Sequence, residues 1–208
     1  PNSWHRETAT RLLYQRQDKA AVEPLKKLAA ESQLPQGRMH ALYALDGLLA
    51  LNEAVVLRAL DDAHPQVCRH AVRLSERIPT PNTLAQRLWA IAFAADVDRE
   101  VRYQIAFSMG EIFNRIDLTV YPTGDDYQKF VTEIGAWMAA AMSQDLGDRW
   151  TQFAWQSSLH QYAGMVLNAM LQNGNLRPDD ATPFLEKLTA QVALQNRKSD
   201  IEAAVAAL

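Results

Sequence analysis

The stretch HPQVCRHAVRLSERIP, residues 64–79, decides between a catalytic and an architectural interpretation of the chain. It brings His64, His70 and the only cysteine, Cys68, close together in sequence, as a metal or haem site would. On an α-helix, positions 64 and 68 share a face, but position 70 lies about 200° round from 68. The three side chains therefore cannot converge on one tight site, and we interpret Cys68 as a structural residue.

The same stretch has counterparts along the chain. VCRHAVRLSE from Val67 aligns with HRETATRLL from His5, GRMHALYALD from Gly37 and VRYQIAFSMG from Val101, at separations of 32, 30 and 34 residues. The second position of each segment, here called the register position, is in chain order Arg6, Arg38, Cys68 and Arg102. Small or apolar residues recur four and eight residues after each start, on one helical face. They are Ala9, Ala41, Ala71 and Ile105, then Leu13, Leu45, Ser75 and Met109.

Apolar stripes between these segments predict a second helix in each unit. The stripes are Ala21, Leu25 and Leu28; Val56, Leu57 and Leu60; and Leu84, Leu88, Ile91 and Ala95. Pro35 and Pro65 suit a first helical turn, Asn52 can cap the helix VVLRAL, and Asp98 stands just before the fourth unit. A repeated helix–turn–helix unit of about 32 residues is typical of an α-solenoid.

The aligned segments resemble HEAT repeats, in which a valine–arginine pair opens a helix and small residues follow. PNSWHRETATRLLYQRQD, with RMHALYALDGL, VCRHAVRLSE and DREVRYQIAFSMGE, is similar to one HEAT region in particular. That region belongs to the large membrane-bound dehydrogenases, or haem-binding-domain proteins, of Planctomycetes and Verrucomicrobia. There a β-propeller precedes the HEAT segment and a cytochrome-c-like domain follows it. The resemblance implies a connecting superhelix in an exported or membrane-associated parent protein.

The redox chemistry of that family does not transfer to this chain. Covalent haem attachment needs C-x-x-C-H, which a single cysteine cannot supply, and there is no glycine-rich dinucleotide fingerprint. We therefore predict no cofactor, no metal site and no catalytic residue.

The fold prediction is all-α, an α-α superhelix (a HEAT-like repeat solenoid) of about ten helices. Residues 1–115 form regular HEAT-like repeats, and residues 116–208 form an irregular helical continuation and C-terminal cap of the same solenoid. Loops are predicted within 119–126 and 173–180, and the S-x-x-E spacing makes Ser199 the expected cap of the last helix.

Composition narrows the function. The 208 residues are 48% hydrophobic, which suffices for a core, and the formal net charge of -3 disfavours nucleic acid as a partner. No apolar run reaches the roughly 18 residues that span a bilayer. One cysteine leaves the compartment undetermined. Because the chain opens at Pro1, we expect a piece of a longer protein.

The arginines at the register position predict an inter-repeat ladder. Each guanidinium can bridge turn carbonyls or a carboxylate of the adjacent unit. The predicted members are Arg6, Arg38, Arg102, Asp61, Asp62, Asp96 and Asp98. An anion-binding stripe is the functional alternative. In the third unit, Arg69 is the expected substitute for the arginine that Cys68 replaces.

Two further groups of side chains are candidates for contact with a partner. Arg69, Arg73 and Arg77 recur every fourth residue, a spacing usual for a solvated helix face. In the second half, Trp150, Phe153 and Tyr162 fit one helical face, which predicts core. Trp155 lies off that face, so it either packs on the 119–126 loop or stays exposed for a partner. A core or capping role is the favoured interpretation, and Trp137 and Trp155 are the candidate partner contacts because tryptophan is favoured at interfaces.

The leading functional hypothesis is a non-catalytic scaffold that binds a protein partner or neighbouring domains of the same chain. One alternative is a HEAT-like enzyme or nucleic-acid-binding module, like the alkylpurine DNA glycosylases or the phycobilin lyases. The glycosylase type would need a basic surface around Arg58, Arg87 and Trp89. A second alternative is a small-ligand binder with an apolar pocket lined by Trp137 and Trp155.

Overall fold

The computed structural model describes residues 2–79, 82–94, 96–114, 125–172 and 178–207. Within these ranges the chain forms twelve α-helices and two short 3₁₀ helices and contains no β-strand. The all-α prediction is therefore confirmed, with more helices than the ten expected. None of the helices that the structure describes is both long and apolar enough to span a bilayer.

The chain forms two compact units, Pro1–Ser108 and Met109–Leu208. The first contains α1 (Ser3–Arg16), α2 (Val22–Glu31), α3 (Pro35–Gly47), α4 (Glu53–Leu60), α5 (Pro65–Ser75), α6 (Asn82–Phe93) and the first part of α7 (Arg99–Asn114). The second contains the end of α7, then α8 (Asp125–Ser143), α9 (Arg149–Leu159), α10 (Ala163–Leu171), α11 (Pro178–Gln195) and α12 (Lys198–Ala206).

Capping residues set the starts of the helices in the first unit. Pro35 and Pro65 occupy the first turns of α3 and α5, as predicted, where the missing N–H costs nothing. The Asn52 side chain accepts a hydrogen bond from the Val55 N–H at the start of α4. Asp98 does the same for the Glu100 N–H in α7. These bonds satisfy N–H groups that no helical carbonyl can reach.

The helices of the first unit pack in two rows. In one row α1 contacts α3 and α3 contacts α5; in the other, α2 contacts α4 and α4 contacts α6. The rows meet where α2 packs on α3 and α4 packs on α5. The core between them is apolar, and Leu45, Ala71 and Ile105 from the aligned segments are fully buried. Small or apolar side chains at these positions let neighbouring helices pack without cavities.

The first aligned segment departs from this pattern. No residue of α1 is buried, Ala9 is exposed, and Trp4 and Tyr14 each expose almost two thirds of their surface. The first aligned segment therefore has the residue pattern of the other segments, but its helix is not packed as they are. The sequence could not show this, because periodicity gives the direction of a face but not whether anything covers it.

In the second unit, α10 lies centrally and contacts α8, α11 and α12. Gly110, at the end of α7, packs so closely on α9 that an added Cβ would overlap the Ser158 carbonyl group. The prediction that Ser199 caps the last helix is wrong, because α12 begins at Lys198 and has no side-chain cap. The loops predicted within 119–126 and 173–180 fall mostly outside the described residues.

Candidate functional site

The turn between α4 and α5 is joined to α3 by a partly buried ion pair, here called the Arg38 junction. Arg38 Nε and one terminal nitrogen donate to the two carboxylate oxygens of Asp62, at 2.6 and 2.7 Å. Its other terminal nitrogen donates to the Ser32 carbonyl at 2.7 Å. Arg38 exposes 15% of its side chain and Asp62 9%. One guanidinium thus links the α2–α3 turn to the α4–α5 turn.

The electrostatics of this junction favour the charged forms of both residues. The hydrogen bond to Asp62 raises the pKa of Arg38 above its ordinary value. Burial alone would raise the pKa of Asp62, but the hydrogen bonds from Arg38 and the His64 N–H outweigh burial and lower it. A bidentate arginine–carboxylate pair with a third bond to a carbonyl is a rigid clamp.

The next junction, at Cys68, is built differently. The Cys68 thiol donates to the Leu60 carbonyl at 3.3 Å, at the end of α4. Burial raises the pKa of this thiol to about 11, so it is not a reactive thiolate at neutral pH. The prediction that Arg69 replaces the missing arginine is wrong. Arg69 points to α7 and pairs with Glu100 at 2.7 Å.

The other predicted ladder carboxylates lie around this second junction without joining it. Asp61, at the end of α4, pairs with Arg87 of α6 in the row formed by α2, α4 and α6. Arg87 Nε donates to the Asp61 carboxylate at 2.8 Å. Asp98 caps α7. Asp96 is exposed and makes no hydrogen bond or ion pair with any residue that the structure describes. The structure therefore brings together only Arg38 and Asp62 among the predicted arginine–carboxylate pairs that it describes.

The remaining predicted ladder arginines lie at equivalent places in their helices. Arg102 donates to the Ala94 carbonyl at 3.2 Å, at the end of α6, as Arg38 donates to Ser32. Arg6 lies beside His40 of α3, where its charge helps to lower the pKa of that imidazole, after burial. The register position thus repeatedly faces the carbonyl that ends the preceding helix.

Residues His40, Tyr43, Arg69, His70 and Arg73 form a surface across α3 and α5, here called the Tyr43–His70 face. The Tyr43 hydroxyl and the His70 Nδ1 share a hydrogen bond of 2.8 Å. Burial raises the pKa of Tyr43, and burial with the nearby Arg69 and Arg73 lowers that of His70, so both groups are neutral near pH 7.

Arg73 gives this face an uncompensated positive charge. The arginines four residues to either side are both paired, Arg69 of α5 with Glu100, and Arg77, just after α5, with Asp46 at 2.6 Å. Arg73 is exposed and has no hydrogen bond or ion pair within the described part of the chain. The predicted solvated basic stripe is therefore neutralised at both ends and positive in the middle.

The aromatic predictions for the second unit are partly wrong, although Tyr162 is buried as predicted. Trp155, a predicted partner contact, is 2% exposed and lies in the core, whereas Trp150, predicted as core, is 64% exposed. Trp137 is 44% exposed, which is compatible with contact to a partner. Phe153 is also partly exposed, with the Lys187 ammonium 4.7 Å from its ring centroid.

This reversal has a geometric cause. The buried residues of α9 are Thr151, Gln152, Ala154, Trp155, Ser158 and Leu159. The close approach of Gly110 to the Ser158 backbone turns this face of α9 inward, with Trp155 on it, and leaves Trp150 exposed. The polar Ser158 beside Gly110 is the signal that sequence reasoning missed.

The contacts do not favour the alternative sites. His64 Nδ1 accepts from the Gln66 N–H while His70 bonds to Tyr43, and no described group of histidine, cysteine and acidic residues could hold a metal. For the glycosylase alternative, Trp89 is only 9% exposed and Arg87 is held by Asp61. A cleft of about 580 Å³ in the second unit is lined by small and polar residues such as Asn168, and no tryptophan is among its lining residues.

Comparison with known proteins gives no relative: the chain matches no protein-family model, no curated protein and no solved structure.

Proposed function

We propose that the chain is a non-catalytic, HEAT-like scaffold, an α-α superhelix that binds a protein partner or a neighbouring domain of its own chain. The packing of the first unit supports this proposal. Helix pairs stack in two rows, and a partly buried guanidinium joins successive turns at the Arg38 junction. Stacked units of this kind create extended surfaces whose positions are set by the repeat.

The observation that carries the proposed binding role is the Tyr43–His70 face. Aromatic and arginine side chains are enriched where proteins bind each other. Here the Tyr43–His70 hydrogen bond fixes two rings beside Arg73, whose charge has no partner in the described part of the chain. A pre-formed surface loses little side-chain entropy on binding. We infer that it accepts an acidic segment of another protein or domain.

The charge of the chain weighs against nucleic acid as the partner. A single uncompensated arginine on this face, in a chain of net charge -3, falls far short of the phosphate contacts that sustain nucleic-acid binding. The proposal also includes the redox-associated parent implied by the sequence resemblance. The parent sequence tests that part: a β-propeller upstream and a C-x-x-C-H motif downstream would support it, and their absence would contradict it.

Site-specific photocrosslinking tests the binding face directly. A photoreactive phenylalanine at position 40, on the face, is compared with one at position 27, exposed on α2 in the other row. We expect a discrete protein adduct from position 40 only, identified by mass spectrometry and lost when Arg73→Glu is added. Arg11→Glu, the same charge change on exposed α1, is the matched control and should leave the adduct intact.

Three outcomes would contradict the proposal: no adduct at position 40, equal adducts at both positions, or an adduct that survives Arg73→Glu. Nucleic acid in the adduct would instead favour the nucleic-acid-binding alternative.

A further inference from the structure

A pocket of about 270 Å³ lies between α1, α2 and α3 in the first unit. We call it the α1 pocket. Its lining is mostly apolar and includes Leu13 of α1, Leu25 and Leu28 of α2, and Ala44 of α3. Leu25 and Ala44 are buried, whereas Leu28 is 44% exposed. The pocket therefore reaches from the surface to the core of the unit.

A threonine in α1 accounts for this space. Thr10 lines the pocket, and its hydroxyl donates to the Arg6 carbonyl at 3.0 Å. The equivalent residues of the second and third aligned segments are Leu42 and Val72, which are 1% and 0% exposed. Apolar side chains at this place fill the space between neighbouring helices. Because the Thr10 side chain is shorter than leucine and bonds to its own helix, α1 leaves an opening against α2 and α3.

His40 connects the α1 pocket to the Tyr43–His70 face. It lines the pocket and is a member of the face, so the two surfaces are continuous. Burial, and then the charge of Arg6, lowers the pKa of His40, while the charge of Glu7 opposes this shift. The pocket end of the combined surface is therefore apolar and close to electrically neutral.

The positive charge of the combined surface lies at its other end. Arg73 of α5 has no hydrogen bond or ion pair in the described part of the chain, and α5 packs directly on α3. Packed helices lie about 8–10 Å apart. An extended chain advances about 3.3 Å per residue, so a segment that crosses from the pocket to Arg73 needs about three residues.

We propose that the α1 pocket takes a phenylalanine-sized apolar side chain of the acidic segment that binds the Tyr43–His70 face, while a carboxylate about three residues away meets Arg73. The proposed anchor depends on the proposed binding role of that face. An apolar cavity of about 150 Å³ binds benzene, so a pocket of about 270 Å³ accommodates a phenylalanine ring. A ring buried in a pocket commonly contributes a large share of the binding energy of a protein interface.

NMR titration of the 208-residue chain with a short peptide tests the anchor. The probe is acetyl-Glu-Gly-Ser-Phe-Ser-Gly-Glu-amide, which has a glutamate three residues from the phenylalanine on either side, so either chain direction fits. We expect it to shift the backbone amides of Gly37, at the pocket, and of Arg73, with a Kd on the order of 1 mM at low salt. Peptides with serine for phenylalanine, or with glutamine for both glutamates, should bind about tenfold more weakly. Equal binding of the three peptides, or no shift at Gly37, overturns the proposal.

Two pairs of variants locate the ring. Thr10→Leu should fill the pocket, weaken binding of the probe about tenfold and raise Tm by about 2 °C. Thr189→Leu, the same change at an exposed position of α11, should do neither. Leu28→Glu places a carboxylate at the pocket and should abolish binding, while Leu194→Glu, at a position that is 86% exposed, should not. Unchanged binding in Thr10→Leu or Leu28→Glu overturns the proposal, as does a lower Tm in Thr10→Leu, because leucine would then meet space that is already filled.

Photocrosslinking keeps failure of the anchor apart from failure of the proposed function. An adduct at position 40 that is lost in Arg73→Glu, together with full binding of the serine peptide, would leave the face as a binding site and overturn only the anchor. Absence of the adduct would overturn the proposed function itself. A peptide with both glutamates next to the phenylalanine should bind more weakly than the probe, and equal binding would overturn the three-residue spacing.

Discussion

The Arg38 junction and the Cys68 junction solve the same geometric problem with different chemistry. Both tie the register position of a helix to the end of the preceding helix. Arg38 does so with a guanidinium that also clamps the carboxylate of the next turn. Cys68 makes only the first bond, through a thiol. The first junction links three elements, and the second links two.

The difference shows which of the two bonds at a register position is always made and which can be omitted. A bond to the carbonyl that ends the preceding helix is made at three register positions, by Arg38, Cys68 and Arg102. That carbonyl lacks a helical partner, so it needs a donor in every unit. The bridge to the next turn is made at Arg38 and omitted at Cys68, so the fold requires the first bond and tolerates loss of the second.

The largest expected effect comes from removing the guanidinium of the Arg38 junction. Arg38→Ala leaves the Asp62 carboxylate, 9% exposed, without its counter-charge. The expected cost is about 2 kcal/mol, because the pair is partly buried and lies between surface pairs and fully buried pairs. Urea unfolding measured by circular dichroism should show this loss of free energy of unfolding. Photocrosslinking through the Tyr43–His70 face should persist under conditions where the variant is folded.

Arg77→Ala is the matched control for that loss. Arg77 exposes 68% of its side chain, and its pair with Asp46 is of the surface kind, which contributes about 0–1 kcal/mol. Equal losses of free energy of unfolding in Arg38→Ala and Arg77→Ala would show that the Arg38 junction stabilises the fold no more than a surface ion pair does.

Restoring the arginine at the second junction should strengthen it. Cys68 lines an open cleft of about 480 Å³ that Leu60 and Asp96 also line. The arginine of Cys68→Arg can extend into this cleft, keep the Leu60 carbonyl bonded and pair with Asp96, for a gain of about 1 kcal/mol in the free energy of unfolding. Cys68→Lys carries the same charge without the fork and should gain less in the same urea experiment. A lysine variant as stable as the arginine variant would mean that net charge, not the bridging geometry, distinguishes the two junctions.

The helices of the first unit could be predicted because the same residue pattern recurs several times in the sequence. Pro35 and Pro65 mark helix starts by their own chemistry, and the aligned segments place Ala71 and Ile105 on buried faces. The Arg38–Asp62 contact belongs to the predicted ladder because the repeat period sets which turn an arginine can reach. Its exact partners could not be chosen, since Asp61 and Asp62 are adjacent in sequence but point to different rows.

The rest depended on which surfaces other helices cover. In α9 the aromatic stripe predicted the core, but Gly110 packs closely on the face that carries Ser158, so Trp155 is buried and Trp150 is exposed. In the third unit the register predicted a missing arginine and a substitute at Arg69. The Cys68 thiol itself donates to the Leu60 carbonyl, and Arg69 pairs with Glu100 instead.

Acid should weaken the Arg38 junction more than the Cys68 junction. Asp62 has a pKa below that of the unfolded chain, about 3.9 for aspartate, so the unfolded state binds its proton first. The stability it contributes is complete above that value and is lost as the pH falls through the lower, folded pKa. Urea unfolding between pH 7 and pH 2.5 should therefore fall more steeply in the wild type than in Arg38→Ala. Parallel curves would remove the link between this pair and acid stability.

The smallest expected change in the free energy of unfolding comes from Asp96, which occupies the position equivalent to Asp62 in the next aligned segment. Asp96 stands where Asp62 stands one unit earlier, but it is exposed and has no partner in the described part of the chain. Asp96→Asn should change the free energy of unfolding by at most about 0.5 kcal/mol, because surface substitutions without partners do little. Asp62→Asn should cost several times more in the same urea experiment, because it leaves the Arg38 charge partly buried and uncompensated. If instead Asp96→Asn costs as much as Asp62→Asn, a cation of the chain already neutralises Asp96, and the Cys68 junction bridges three elements as the Arg38 junction does.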